Sequence, residues 1–211
     1  MAVRVVKDAE ERRNEILDVA EELFGSKGFD QTSTNDILEK VGIARGTLYY
    51  HFKSKEDILD AMIERMTNQL LTVSMKIANQ QTVPVLERLV RTIMALNVDN
   101  NLGNEVMQQV HKPQNALMHQ KMQEKLVSGI TPIVTKLVEE GISQNMFHTD
   151  FPGEAVEMCM IYSNTAFDDL FEQSEEQMQR RIDGFIYNVE RLFGTEEGAL
   201  KNTLMQIFVK E

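Results

Sequence analysis

The run Arg45-Gly46-Thr47-Leu48-Tyr49-Tyr50-His51-Phe52 gathers a planar cation, a hydroxyl, two phenols and an imidazole into one short segment. That mixture suits nucleic acid. A guanidinium can fork onto guanine O6 and N7 or onto a phosphate, and a threonine offers a hydroxyl and a methyl to a base edge. Tyr49, Tyr50 and His51 can hydrogen-bond phosphates through their polar tips. Gly46 removes a side chain where the backbone could approach a groove. Tyr-Tyr-His in succession cannot all point inward from one short helix, and Leu48 and Phe52 already take the inward positions.

Competing chemistries find little support. Cys159 is the only cysteine, so no internal disulfide can form, which fits a reducing cytoplasm. His111, His119 and His148 lack metal-ligand spacing. There is no nucleophile elbow and no phosphate-cradling glycine loop. We therefore expect no catalytic residue, metal or cofactor, and no enzyme. No stretch approaches ~18 consecutive apolar residues, and the N-terminus lacks the apolar core of a signal peptide. The expected location is the cytoplasm, with no membrane partner.

The elements that would position the run follow from periodicity and caps. An arm over residues 1–7 precedes a first helix from about Asp8 to Gly25, with Ile16, Val19, Ala20, Leu23 and Phe24 on one stripe. Gly25 and Gly28 end it, and Phe29 packs beneath. Ser33 with Asp36 three residues on resembles a capping box opening a second helix, whose inner face is Ile37, Leu38 and Val41. Gly42 makes the turn. The third helix, Arg45 to His51, is too short to be stable alone. Ser54 caps a fourth, long helix running to about Asn79. Beyond residue 80 the pattern stays helical, with segments near 84–97, 102–111, 115–143, 153–172, 175–193 and 197–209, and Pro132 is expected to kink the longest. The fold class is all-α.

Two short helices around a glycine turn form the layout of a helix-turn-helix DNA reader. Thr34, Ile37, Gly42, the run from Arg45 to Phe52, Lys55 and Leu59 resemble the N-terminal domain of TetR-type transcriptional repressors. The resemblance covers roughly the first 60 residues. It implies an N-terminal DNA-binding domain (1–54) and a larger helical effector-binding and dimerisation domain (55–211). It also implies DNA contact by Thr34, Arg45, Gly46, Thr47, Tyr49, Tyr50, His51 and Lys55. Thr34 and Lys55 fall at helix N-termini, whose free N–H groups favour anions. Arg4, Lys7, Arg12 and Arg13 could add phosphate contacts, although a solvated helix face accounts equally well for Arg12 and Arg13.

One reading helix spans too few base pairs for specificity, so a homodimer on a palindromic operator is expected. By resemblance its interface is a four-helix bundle from the helices near 153–172 and 175–193. The resemblance further implies a small-molecule effector that enters the C-terminal domain and shifts the fourth helix. Of thirteen methionines, Met62, Met66, Met94, Met107, Met118, Met122 and Met158 fall where such a pocket would form, with Tyr162 as a polar handle. Methionine adapts to irregular apolar surfaces, suiting an apolar or amphipathic ligand, and fills gaps in a helical core just as readily. Cys159 reads as a packed small residue rather than a redox sensor.

The net charge of −11 runs against a DNA binder. Residues 33–55, however, carry Lys40, Arg45, Lys53 and Lys55 against Asp36 and Glu39, a balance of +2 that leaves −13 for the rest. Phosphate contact depends on local cations, while global charge affects encounter and solubility. The expected function is a sequence-specific repressor released by a ligand. A helical protein–protein adaptor that has lost operator binding is the alternative.

Overall fold

The computed structural model describes residues 8–96, 115–167 and 174–208. Every regular element among them is helical: α1 (Ala9–Lys27), α2 (Thr34–Val41), α3 (Arg45–His51), α4 (Lys55–Ala78), α5 (Val85–Met94), α6 (Ala116–Ser143), α7 (Pro152–Ala166), α8 (Glu175–Leu192) and α9 (Lys201–Leu204), followed by a 3₁₀ turn at Met205–Ile207. The segment 102–111, with Met107 and His111, lies outside the described residues, as do Arg4, Lys7 and the end of the segment expected at 153–172. No described helix is long and apolar enough to cross a membrane.

Compactness groups residues 8–66 with 115–122, and residues 67–96 with 123–167 and 174–208. In the first unit, Asp8 caps α1 by accepting from the Glu11 N–H at 2.7 Å. The helix runs through Gly25, which is buried inside it, and ends only at Gly28, whose φ of +91° an L side chain resists. Its stripe is Ile16, Leu17, Ala20, Leu23 and Phe24; Leu17 takes the buried place expected of Val19, which is half-buried. Phe29 is buried and meets Phe24 edge to face at 5.2 Å. The grouping extends to Met66 because Ile58, Leu59, Met62, Ile63 and Met66 of α4 are all buried. Arg65 binds Asp18 and Glu21 at 2.7 and 2.9 Å, tying α4 to α1, while Lys121 of α6 pairs with Asp60 of α4 at 2.6 Å.

The second unit is built around Leu89, Val90, Ile130, Val134, Val138, Val156, Ile182, Ile186 and Val189. Here α6 continues through Pro132 as one helix. Two buried charges fasten segments of this unit. Arg88 is 3 % exposed; its Nε donates to Val83 O at 2.9 Å, one terminal nitrogen donates to Ala78 O at 2.8 Å, and the other pairs with Glu140. Glu190 accepts from the Gly198 and Leu200 N–H groups, both at 2.8 Å, and so folds the C-terminal segment onto α8.

Candidate nucleic-acid interface

Three local devices set up α3. The capping box at the start of α2 is complete: Ser33 Oγ accepts from the Asp36 N–H at 3.2 Å, and the Asp36 carboxylate accepts from the Ser33 N–H at 2.7 Å. These Ser33 bonds, with Lys27 alongside, hold the Asp36 carboxyl well below the usual carboxylate range. Gly42 closes α2 in the left-handed region, φ +74°, turning the chain into α3. Ser54 Oγ then accepts from the Asp57 N–H at 3.0 Å, while the Asp57 carboxylate accepts from the Lys53 N–H at 2.9 Å, so α4 begins at Lys55.

Between these devices, α3 buries Leu48 and turns its other residues out. Tyr50 is 78 % exposed and Tyr49 46 %, values far above what a hydrophobic core demands of a tyrosine. Arg45 and Gly46 are exposed, and Thr47 and His51 are half-buried. A Cβ on Gly46 would meet nothing within 4 Å, so no packing within the protein requires glycine there. Tyr50 stands edge to face with His51 at 4.9 Å. Burial, aided by Arg13 and Arg12, lowers the His51 imidazole below its ordinary value, so it is neutral at neutral pH. Thr34 and Lys55 are the first residues of α2 and α4, as expected from the caps.

Some roles depend on contacts the sequence does not announce. Arg45 donates to Asn35 Oδ1 of α2 at 3.3 Å, which draws exposed Asn35 into the same surface. Lys55 Nζ donates to Phe29 O at 2.7 Å and sits 4.1 Å from the centre of the Phe29 ring. That leaves two of its ammonium hydrogens for another acceptor. Arg12 pairs with Glu15 at 2.6 Å, whereas Arg13 donates to His51 O at 3.2 Å, so neither is simply a solvated side chain.

The residues expected at an effector pocket separate. Met62, Met66, Met118 and Met122 are buried in the first unit, and Met94 is partly buried against the core of the second. Met158 is 59 % exposed and Tyr162 is exposed while stacking on Phe185 at 5.6 Å. Met107 lies outside the described residues. Cys159 is buried, and burial pushes its thiol up to about 12, which keeps it protonated and unreactive. Among the described residues, no group of three or more His, Cys, Asp or Glu could hold a metal ion.

Two family models match the chain. Residues 16–62 match the bacterial regulatory proteins of the tetR family, and residues 98–187 match the tetracyclin repressor-like C-terminal domain. The chain belongs to the TetR family. It is 35% identical over 92 residues to the HTH-type transcriptional repressor KstR2 of Mycobacterium tuberculosis, covering 44% of this chain and 46% of that one. It is 41% identical over 64 residues to the HTH-type transcriptional regulator AcrR of Shigella flexneri, 30% of each chain. These matches span less than half of each relative's length. In structure, this TetR-family chain is similar to a TetR/AcrR-family transcriptional regulator from Thermobifida fusca, with a TM-score of 0.55 and 25% identity over 90% of this chain and 98% of that one. It also shares the fold of RolR, solved with resorcinol, at a TM-score of 0.62 and 16% identity over 93% and 94% of the two chains. The surface built by α2, α3 and the start of α4 falls wholly within the matched N-terminal segment.

Proposed function

We propose that this protein is a cytoplasmic, homodimeric repressor that binds a palindromic operator and is released by a small apolar or amphipathic ligand. Residues 1–54 are its reading head and residues 55–211 its effector-binding and dimerisation part. The observation that carries the reading is the outward face of α3, where Arg45, Gly46, Tyr49 and Tyr50 are exposed over a buried Leu48. Arg45 and Thr47 read base edges, Gly46 admits the groove, and Tyr49, Tyr50 and His51 bind phosphates. Thr34 and Lys55 add N-terminal helix dipoles on either side.

The dimer reading draws on α7 and α8, which expose Met158, Ile161, Tyr162 and Tyr187 in the single chain. Exposed apolar side chains of that kind are what a second copy would cover. This use fits Met158 and Tyr162 better than a pocket does. For the effector, Met62 and Met66 one turn apart on α4, and Met118 and Met122 one turn apart on α6, are the lining residues we favour. The RolR structure holds resorcinol, a compact ring with polar edges, and a ligand of that kind is our reading here.

Fluorescence anisotropy with DNA from upstream of the protein's own gene, at several salt concentrations, tests the function. Tight binding that survives excess competitor DNA supports it. Equal, salt-labile binding to any sequence by wild type, unchanged in an Arg45→Ala, Tyr49→Ala double variant, would favour the adaptor reading.

A further inference from the structure

Helix α3 has seven residues, no side-chain cap at its Ala44 start, and an extended residue, Phe52, at its end (φ −142°, ψ 131°). Locally its C-terminus is closed by the Phe52 N–H, which donates to Leu48 O at 2.9 Å and leaves the His51 carbonyl without a local donor. A helix this short is marginal in isolation, and its last carbonyls carry partial negative charge without an intrahelical partner. The partner comes from α1, 38 residues away in sequence. Arg13 Nη1 donates to His51 O, the last carbonyl of the helix, at 3.2 Å. Its guanidinium carbon lies 4.3 Å from the centre of the Phe52 ring. One planar cation thus caps the end of α3 and covers the aromatic residue that terminates it.

We propose that Arg13 is a positioning residue for DNA reading: it caps α3 from α1 and fixes the orientation in which Arg45 to Tyr50 meet the groove, without touching DNA itself. The role rests on the DNA-reading function above. Its neighbour shows the contrast, because Arg12 spends its charge on Glu15 within α1. The geometry also calls for arginine. A guanidinium can lie flat on a ring while an edge N–H donates to a carbonyl, whereas a lysine ammonium is a point charge that can do one or the other well.

The test uses full-length Arg13→Met and Arg13→Lys proteins, checked as folded by circular dichroism. The probes are a duplex of about 30 base pairs selected by wild type from a random pool, long enough for two half-sites a helical turn apart, and its scrambled counterpart. Affinity is read by anisotropy across a salt series. Arg13→Met should bind the selected duplex about 5- to 30-fold more weakly, the scale of a lost helix cap and charge-assisted hydrogen bond. Its affinity for the scrambled duplex, and the salt slope on both, should match wild type. Arg13→Lys should keep the slope and recover only part of the loss. A weaker grip on both duplexes with a shallower slope, by about 0.9 per lost phosphate contact, would make Arg13 a phosphate ligand and overturn the positioning role. Equal loss on both duplexes at unchanged slope would reduce it to general stability, again overturning the role. Unchanged affinity for the selected duplex overturns it as well. If wild type itself selects no duplex, DNA reading fails and this role falls with it.

Discussion

Gly46→Ala separates what the fold needs from what the DNA complex needs. Gly46 lies in the first turn of α3, and an added Cβ finds open space out to 4 Å. Within the free protein the substitution should therefore help. Alanine lowers the entropy lost on forming a helix, a gain of about 0.5–1 kcal/mol in a helix interior. For a chain of this size that corresponds to a melting temperature higher by about 2–4 °C at most. On DNA the same methyl group points at the partner, because residues three and four positions on, Tyr49 and Tyr50, share its face and are exposed. Holding α3 off the groove by one methyl should remove the discrimination of about one base contact, ~1–3 kcal/mol per half-site. Two half-sites double it, so operator affinity should fall by a factor of about 30 to 10⁴. Thermal denaturation followed by circular dichroism and anisotropy on operator DNA measure the two effects side by side. A variant that melts higher and binds operator as wild type does would place Gly46 away from DNA and refute the orientation argued for α3. A variant that melts lower would refute the open surroundings of the glycine.

Three further outcomes are expected. The His51 imidazole is lowered in the free protein by burial first and by Arg13 and Arg12 next; a facing phosphate raises it in the complex. Binding then takes up protons, so operator affinity measured at constant ionic strength should rise as the pH falls from 8 towards 5.5, and His51→Asn should flatten that trend. Arg88→Met removes the side-chain donor to Ala78 O and Val83 O and leaves the Glu140 carboxylate with Gln144 Nε2 in place of a cation, which should cost about 3 kcal/mol and lower the melting temperature by on the order of 10 °C; a loss under a degree or two would mean water replaces those bonds. Ile161→Glu puts a charge on the exposed face of α7; sedimentation should show it monomeric at concentrations where wild type is dimeric, and an unchanged dimer would move the interface elsewhere.

Local chemistry was the readable part of this chain. Ser33 with Asp36, Gly42 as the turn and Ser54 before Asp57 each act over three or four residues, so the order of types suffices to place them. The outward face of α3 was readable for the same reason, since Leu48 and Phe52 use up the inward positions. The end of α1 was misjudged because two glycines stand three apart and only the backbone shows which one turns: Gly25 stays helical and Gly28 does not. Leu17 and Val19 were exchanged because apolar spacing alone does not fix the angle at which α1 meets its neighbours. The contacts of Arg13 with His51, Arg45 with Asn35, Arg88 with Ala78 and Glu190 with Gly198 span turns and helices, and no spacing rule encodes them.

Those long-range contacts also resolve the conflict between an acidic chain and an anionic partner. Several carboxylates of the first unit are committed to cations: Asp18 and Glu21 to Arg65, Glu22 to Lys40, Asp36 to Lys27 and Asp60 to Lys121. Each pair is close to neutral at the distance of a phosphate, and charges further off than about 8 Å are largely screened at physiological salt. By contrast, among the described residues no carboxylate pairs with Arg45, Lys53 or Lys55. Arg45 and Lys55 instead bond to neutral oxygens, which leaves their charge uncancelled by a carboxylate. The field a phosphate meets at this surface is set by those three cations and the helix N-termini beside them, and not by the net charge of −11. The remaining negative charge then works against binding wherever the three cations are not presented together, which favours a specific site over DNA at large.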